Sequence, residues 1–193
     1  MYKLKSIFII VLCIAFTCCM SGCFNFNPDS TSGDQSSSNV QKDVLGDSLD
    51  NLVPLGKYAD ISSETWNAQI KIIEIIRGSE ANSIVTTANR YNEVPDSKHE
   101  YVIIKFNIKV LKLAENKTFS PYSFSILSNN GILTDPPYAV ASNICESINM
   151  KEISNVKFAS EGTVDAFEVF LIEKDQERCL IYDGLSKCYF SLH

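Results

Sequence analysis

Five apolar side chains occupy every second position from Val102 to Val110 (Val102, Ile104, Phe106, Ile108, Val110), with Lys105, Asn107 and Lys109 among the residues between them. A helix advances about 100° per residue and cannot gather those five on one face; a strand does so through its two-residue period. The segment therefore reads as a strand with one face against a core, and that core has to be supplied by further strands.

The rest of the chain supplies them. Trp66, Ala68, Ile70 and Ile72 alternate with Asn67, Gln69 and Lys71, and the phase then slips at Ile73, Ile75 and Ile76, as a bulge or a doubly buried strand end would make it. Residues 78–99 read as a long polar loop. The segments 122–128 and 132–134 flank Asn129-Asn130-Gly131, a sequence suited to the positive φ angles of a tight hairpin. Pro136-Pro137 then breaks the ladder, because proline has no N–H to give. Residues 143–151 suggest a short helical turn, and 164–172 a strand apolar on both faces. Residues 179–182 and 187–192 form a last strand pair around Asp183-Gly184. About seven short strands separated by turn signals imply an all-β, two-sheet β-sandwich of immunoglobulin-like type.

The N-terminus has a different character. Lys3 and Lys5 precede an unbroken apolar run from Ile7 to Phe16, and Met20-Ser21-Gly22-Cys23 closes the segment. The run is roughly half of the ~20 residues a membrane-crossing helix needs, which fits the hydrophobic region of a secretory signal. Small residues directly before a cysteine let a lipoprotein signal peptidase take an extended backbone, and the stretch resembles the bacterial lipobox. The expectation is a signal peptide over 1–22 and lipidation of Cys23, which then anchors the mature chain on the extracytoplasmic face of the cell membrane. Residues 23–51, rich in Ser, Asn, Asp and Gly, cannot bury enough apolar surface to offset the entropy of ordering them. They read as a flexible tether, and residues 52–193 as one domain.

Charge narrows the function. The chain has seventeen Lys and Arg against twenty-three Asp and Glu; without Lys3 and Lys5 fifteen basic residues remain, so the mature chain carries about −8. No basic run offsets this, and a nucleic-acid partner lacks its electrostatic footprint. The two histidines, His99 and His193, fall in no zinc-ligand spacing, so no metal site is expected. No Gly-x-Ser-x-Gly, phosphate-binding glycine loop or twelve-residue calcium pattern occurs, so neither a catalytic residue nor a cofactor is assigned. Tyr91, Tyr101, Tyr122 and Tyr138 could line a ligand-binding rim or serve as half-buried sheet aromatics.

Several stretches resemble one family. Leu55-Gly56, then Glu100 to Ile108, then Glu161-Gly162-Thr163-Val164 with Ala166 to Ile172, look like the opening, central and penultimate strands of the telokin-like, immunoglobulin-like domain carried by lipoproteins, chiefly of Gram-positive bacteria. The resemblance covers roughly residues 52–192 and implies a sandwich, an extracytoplasmic location and a binding role; it implies no reaction. The chain departs from the pattern at Glu168, where an apolar residue is usual, and at Glu173, where proline is common. The stretch 135–160 is also long.

Cysteine spacing suggests a cross-link. If Asp183-Gly184 is a two-residue turn, Cys179 stands opposite Cys188 at a non-hydrogen-bonded pair, within the range a disulfide tolerates. The expectation is a Cys179–Cys188 disulfide with Cys145 left as the odd thiol, against the alternatives of two reduced cysteines or a bridge that uses Cys145.

Two function classes follow. The first is a non-enzymatic binding module that meets an envelope or extracellular ligand through loops at one end of a rigid sandwich. The second is a small extracytoplasmic hydrolase or an enzyme-inhibiting accessory protein whose site assembles from distant residues. Convergent carboxylates with a raised pKa in a pocket favour the second; a shallow surface with no perturbed group favours the first.

Overall fold

The computed structural model describes residues 44–138 and 140–193. The expected signal peptide over 1–22, the expected lipidation site Cys23 and the expected tether as far as residue 43 lie outside the described residues.

Two sheets face each other. The first has the order β1-β2-β3-β7-β6, from β1 (Ala59–Ser62), β2 (Trp66–Arg77), β3 (His99–Leu113), β7 (Gly162–Glu173) and β6 (Lys151–Glu152). The second runs β5-β4-β8-β9, from β4 (Phe124–Ser128), β5 (Leu133–Thr134), β8 (Glu177–Asp183) and β9 (Lys187–Phe190). All pairs are antiparallel except β6 with β7. The fold is an all-β sandwich. As the alternation predicts, Val102, Ile104, Phe106, Ile108 and Val110 all enter the core between the sheets. There the Phe106 ring lies 4.7 Å from that of Phe124, and Phe124 lies 5.2 Å from Tyr182. The phase slip in β2 is a register shift between Ile72 and Glu74, which leaves Ile73 out of the ladder. The Asn129-Asn130-Gly131 hairpin forms, with Leu127 opposite Leu133 and Gly131 at φ +84°.

Residues 78–99 are not one long loop. Helix α1 (Gly78–Ala88) lies across the outer face of the first sheet and buries Ala81 and Val85 against Tyr101, Ile103, Phe167 and Val169. Ala81, Ile84, Val85 and Ala88 recur at helical spacing, and Asn82 fixes the helix by accepting the Tyr101 N–H at 2.8 Å. This second apolar layer is why Tyr101–Ile104 of β3 and Val169–Ile172 of β7 are apolar at every position: both of their faces are covered there. The stretch 135–160 is also structured. It holds a 3-10 turn (Ala141–Ile144), the short helix α2 (Cys145–Ile148), β6 and a second 3-10 turn (Ile153–Asn155).

The last hairpin corrects the cysteine expectation. Asp183 pairs with Lys187, so the loop is the three residues Gly184-Leu185-Ser186, and Tyr182 rather than Cys179 faces Cys188. The odd register difference places the two thiols on opposite faces of the sheet. Cys188 enters the core, Cys179 points away from it, and both are free, as is Cys145. The longer loop has a job: Ser186 Oγ donates to the Ser62 carbonyl at 2.5 Å and ties the second sheet to β1.

Residues 44–51, which composition assigns to the tether, are folded onto the domain. They form turns, with the Gly46 N–H bonded to the Asn51 carbonyl, and the Tyr189 N–H donates to the Gly46 carbonyl. Val53 then runs beside Phe190 along the β9 edge.

Candidate functional site

Along β7, the even-numbered residues Ala166, Phe170 and Ile172 point into the core, and Glu168 points with them. A carboxylate there needs water, a partner or a gap. The gap is at hand, because β6 is only two residues long and β5 only two on the sheet opposite, so the sandwich opens between these edges. The result is a cleft of about 820 Å³.

Its lining comes from stretches far apart in sequence. The approach to β4 and its first residues give Tyr122, Ser123, Phe124 and Ser125; the turn after β5 gives Asp135, Pro136, Pro137 and Tyr138. Ser142, then Glu152, Ser154 and Asn155, then Glu168 and Asp183 complete it. The two prolines hold the wall with little backbone freedom, since their φ angles are fixed. Asp135 accepts the Ser125 hydroxyl at 2.5 Å. Glu152 is clamped by Ser154 Oγ at 2.6 Å and Asn155 Nδ2 at 3.1 Å. Asp183 pairs with Lys187 at 3.2 Å. Tyr138 and Tyr122 stand exposed at the mouth, and Phe124 is buried behind them.

Glu168 is the perturbed group. It is 5 % exposed; its Oε1 accepts the Val169 N–H at 3.0 Å, and Oε2 has no hydrogen-bond partner among the described residues. Burial pushes its carboxyl up to about 7, against the Val169 hydrogen bond and with help from the negative charge of Glu152. Asp135, Glu152 and Glu168 have no ion-pair partner among the described residues, and no Lys, Arg or His lines the cleft.

A second polar cluster is closed off. Arg77 bridges Glu100 at 2.5 Å and Glu177 at the junction of the sheets, and Glu177 Oε2 is buried with no hydrogen-bond partner. Burial alone would raise the Glu177 carboxyl; the hydrogen bond and charge of Arg77 outweigh it and hold the group below its usual range. This cluster reads as a structural junction.

Of the four tyrosines, Tyr122 and Tyr138 reach the cleft. Tyr101 is buried with its hydroxyl on the Glu93 carbonyl, and Tyr91 stacks under Arg90 elsewhere on the surface. His99 sits on Asp96 at 2.7 Å, and His193 lies 3.9 Å from Glu177. Among the described residues no group of three or more His, Cys, Asp or Glu is placed to hold a metal ion. Glu168 was visible in the sequence as a departure from the apolar pattern; no sequence signal marked Asp135 or Glu152.

No protein-family model matches the chain, and no curated protein sequence does. Among solved structures, the secreted protein MPT63 of Mycobacterium tuberculosis is similar at a TM-score of 0.44 with 6 % identity, over 72 % of this chain and 97 % of that one. A conserved hypothetical protein from Bacillus anthracis is similar at 0.40 with 10 % identity, over 68 % and 92 %. Likenesses at this level carry no argument about function. Among the described residues no helix is long and apolar enough to cross a membrane.

Proposed function

We propose that this chain is a lipid-anchored, extracytoplasmic binding module of the telokin-like kind, acylated at Cys23 and presenting a ligand cleft on a rigid sandwich. The observation that carries the binding role is the cleft: about 820 Å³, within the range of small-ligand sites, walled by strands and prolines, with a buried carboxylate at its base. The lipobox Met20-Ser21-Gly22-Cys23 supports the anchor. Two measurements test the reading. Cys23→Ala should abolish labelling by a palmitate analogue; continued labelling refutes the anchor. The full-length chain in detergent should capture an envelope ligand that Tyr122→Ala does not; equal capture by both refutes the cleft.

One observation favours the hydrolase reading. Glu168 titrates near neutrality beside Glu152, and two carboxyl groups in unlike environments are what acid–base cleavage of a glycosidic bond uses. Reducing-end release from wall polysaccharide, lost in Glu168→Gln, would establish it. The binding module is preferred because both Glu152 oxygens are already engaged by Ser154 and Asn155, leaving that group poorly placed as a base or nucleophile.

A further inference from the structure

We propose that the cleft is a receptor for a small organic cation, a ligand bearing ammonium or guanidinium groups, with Glu168 at its base, Asp135 and Glu152 on its walls and Tyr122 and Tyr138 at its mouth. The inference rests on the binding reading above and gives it a ligand class.

Charge balance carries it. Among the described residues three of the four lining carboxylates lack an ion-pair partner, and Lys187 takes only the fourth, Asp183. Like charges gathered between low-dielectric walls repel one another, and the same walls concentrate their attraction for a cation. An anion is excluded by the same field, and a neutral sugar would leave the repulsion unrelieved. A metal ion would want several ligands converging on one point, and the described residues offer no such group. A multi-point organic cation fits carboxylates spread over a cleft of this size.

The burial of Glu168 is a second observation. The residue is 95 % buried, on the core-facing side of β7 and in the lining of the cleft; Oε1 accepts the Val169 N–H, and Oε2 has no hydrogen bond among the described residues. An ionised carboxylate accepts at about four sites, so most of its capacity is unused by the described residues, and it lines the cleft. Aromatic faces complete the fit, because the exposed Tyr122 and Tyr138 can each hold a cation over the ring.

A pH signature follows. The elements packed around Glu168 present Glu152 from β6, Asp135 and Tyr138 from the turn after β5, Tyr122 before β4, Asp183 from β8 and the apolar Ile104 from β3, none of them cationic. A bound cation favours ionised Glu168, whose carboxyl stands at about 7 in the free protein. Affinity should fall about tenfold from pH 8 to pH 6, in step with the ionised fraction.

Isothermal titration calorimetry of the full chain in detergent micelles tests this with spermidine, trilysine and triarginine as cations and chitotetraose as the neutral control. The expected result is saturable one-site binding of at least one cation, weaker at pH 6 than at pH 8 and reduced at least tenfold in Glu168→Gln. Tyr138→Ala, on a fully exposed side chain, should weaken it without touching the core. Cation binding that is equal in wild type and Glu168→Gln, tight binding of chitotetraose, or no binding by any of the three cations overturns the proposal. If an envelope ligand is captured in a Tyr122-dependent way while all three cations fail to displace it, the cation class falls and the binding role stands. If capture fails as well, both fall.

Discussion

Glu168 is the register partner of Ile104 in the β3–β7 ladder, so its carboxylate leaves the sheet on the face where Ile104 is fully buried. A charge held there is costly unless it is protonated or met by an opposite charge.

Stability should carry this signature. The folded-state value is raised, from 4.5 to about 7, so the folded protein holds a proton that the unfolded chain has lost. The associated stability is fully present below 4.5 and is lost as pH rises through 7, by up to about 3 kcal/mol. Chemical denaturation at pH 5 and pH 8 should show that loss in wild type and a smaller one in Glu168→Gln, which has no proton to release. Parallel profiles would refute it.

Phe106 lies at the centre of the sandwich, fully buried and in ring contact with Phe124. Phe106→Ala should cost about 3–5 kcal/mol, the range for emptying a buried aromatic site. Equilibrium unfolding measures it, and a near-neutral result would mean that the core is packed differently.

Arg77 neutralises two carboxylates that the sheets bury, with Glu177 only 2 % exposed at its side chain. Arg77→Ala should destabilise by about 3 kcal/mol at pH 7, because it leaves buried charge unpaired; the partly exposed Arg77 side chain sets the low end of the range. The Glu177 carboxyl is depressed in the fold, so this stability exists above the ordinary glutamate range and is lost as pH falls through the folded value. The gap between variant and wild type should therefore narrow in acid.

The thiols give a chemical test of the last hairpin. Cys188 is pushed up to about 12 by burial, and Cys179 is raised by the same cause. Both should resist alkylation in the native protein and react once it is unfolded, while the partly exposed Cys145 reacts first. A 179–188 linked peptide in a non-reducing digest would overturn the observed register.

Legibility followed the range of the forces involved. The β3 alternation was readable because period two is local, and so was the bulge at Ile73. Helix α1 was hidden: it has only four apolar residues, two of them alanines, and Ser79, Asn82, Ser83 and Thr87 between them give the composition of a loop. The β8–β9 register was missed because it depends on Ser186 reaching Ser62, a contact between residues more than a hundred positions apart. The cleft was out of reach for the same reason, since its walls come from β4, the turn after β5, β6, β7 and β8; only Glu168 announced itself, as a charge in an apolar row.

Gly46 has a consequence for anyone trimming this chain. Its φ of +84° suits glycine, and an added Cβ would fall 2.5 Å from both Cys188 Sγ and Val53 Cγ2. That tight seat lets residues 44–53 lie along β9 and take the Tyr189 N–H, so the outermost strand of the second sheet is not left bare. A fragment begun at Leu52 would strip away Gly46 and offer that donor to any passing strand, the usual route to sheet-to-sheet aggregation. The segment that composition marks as spacer thus works at its far end as a selvedge, and a soluble fragment should keep it.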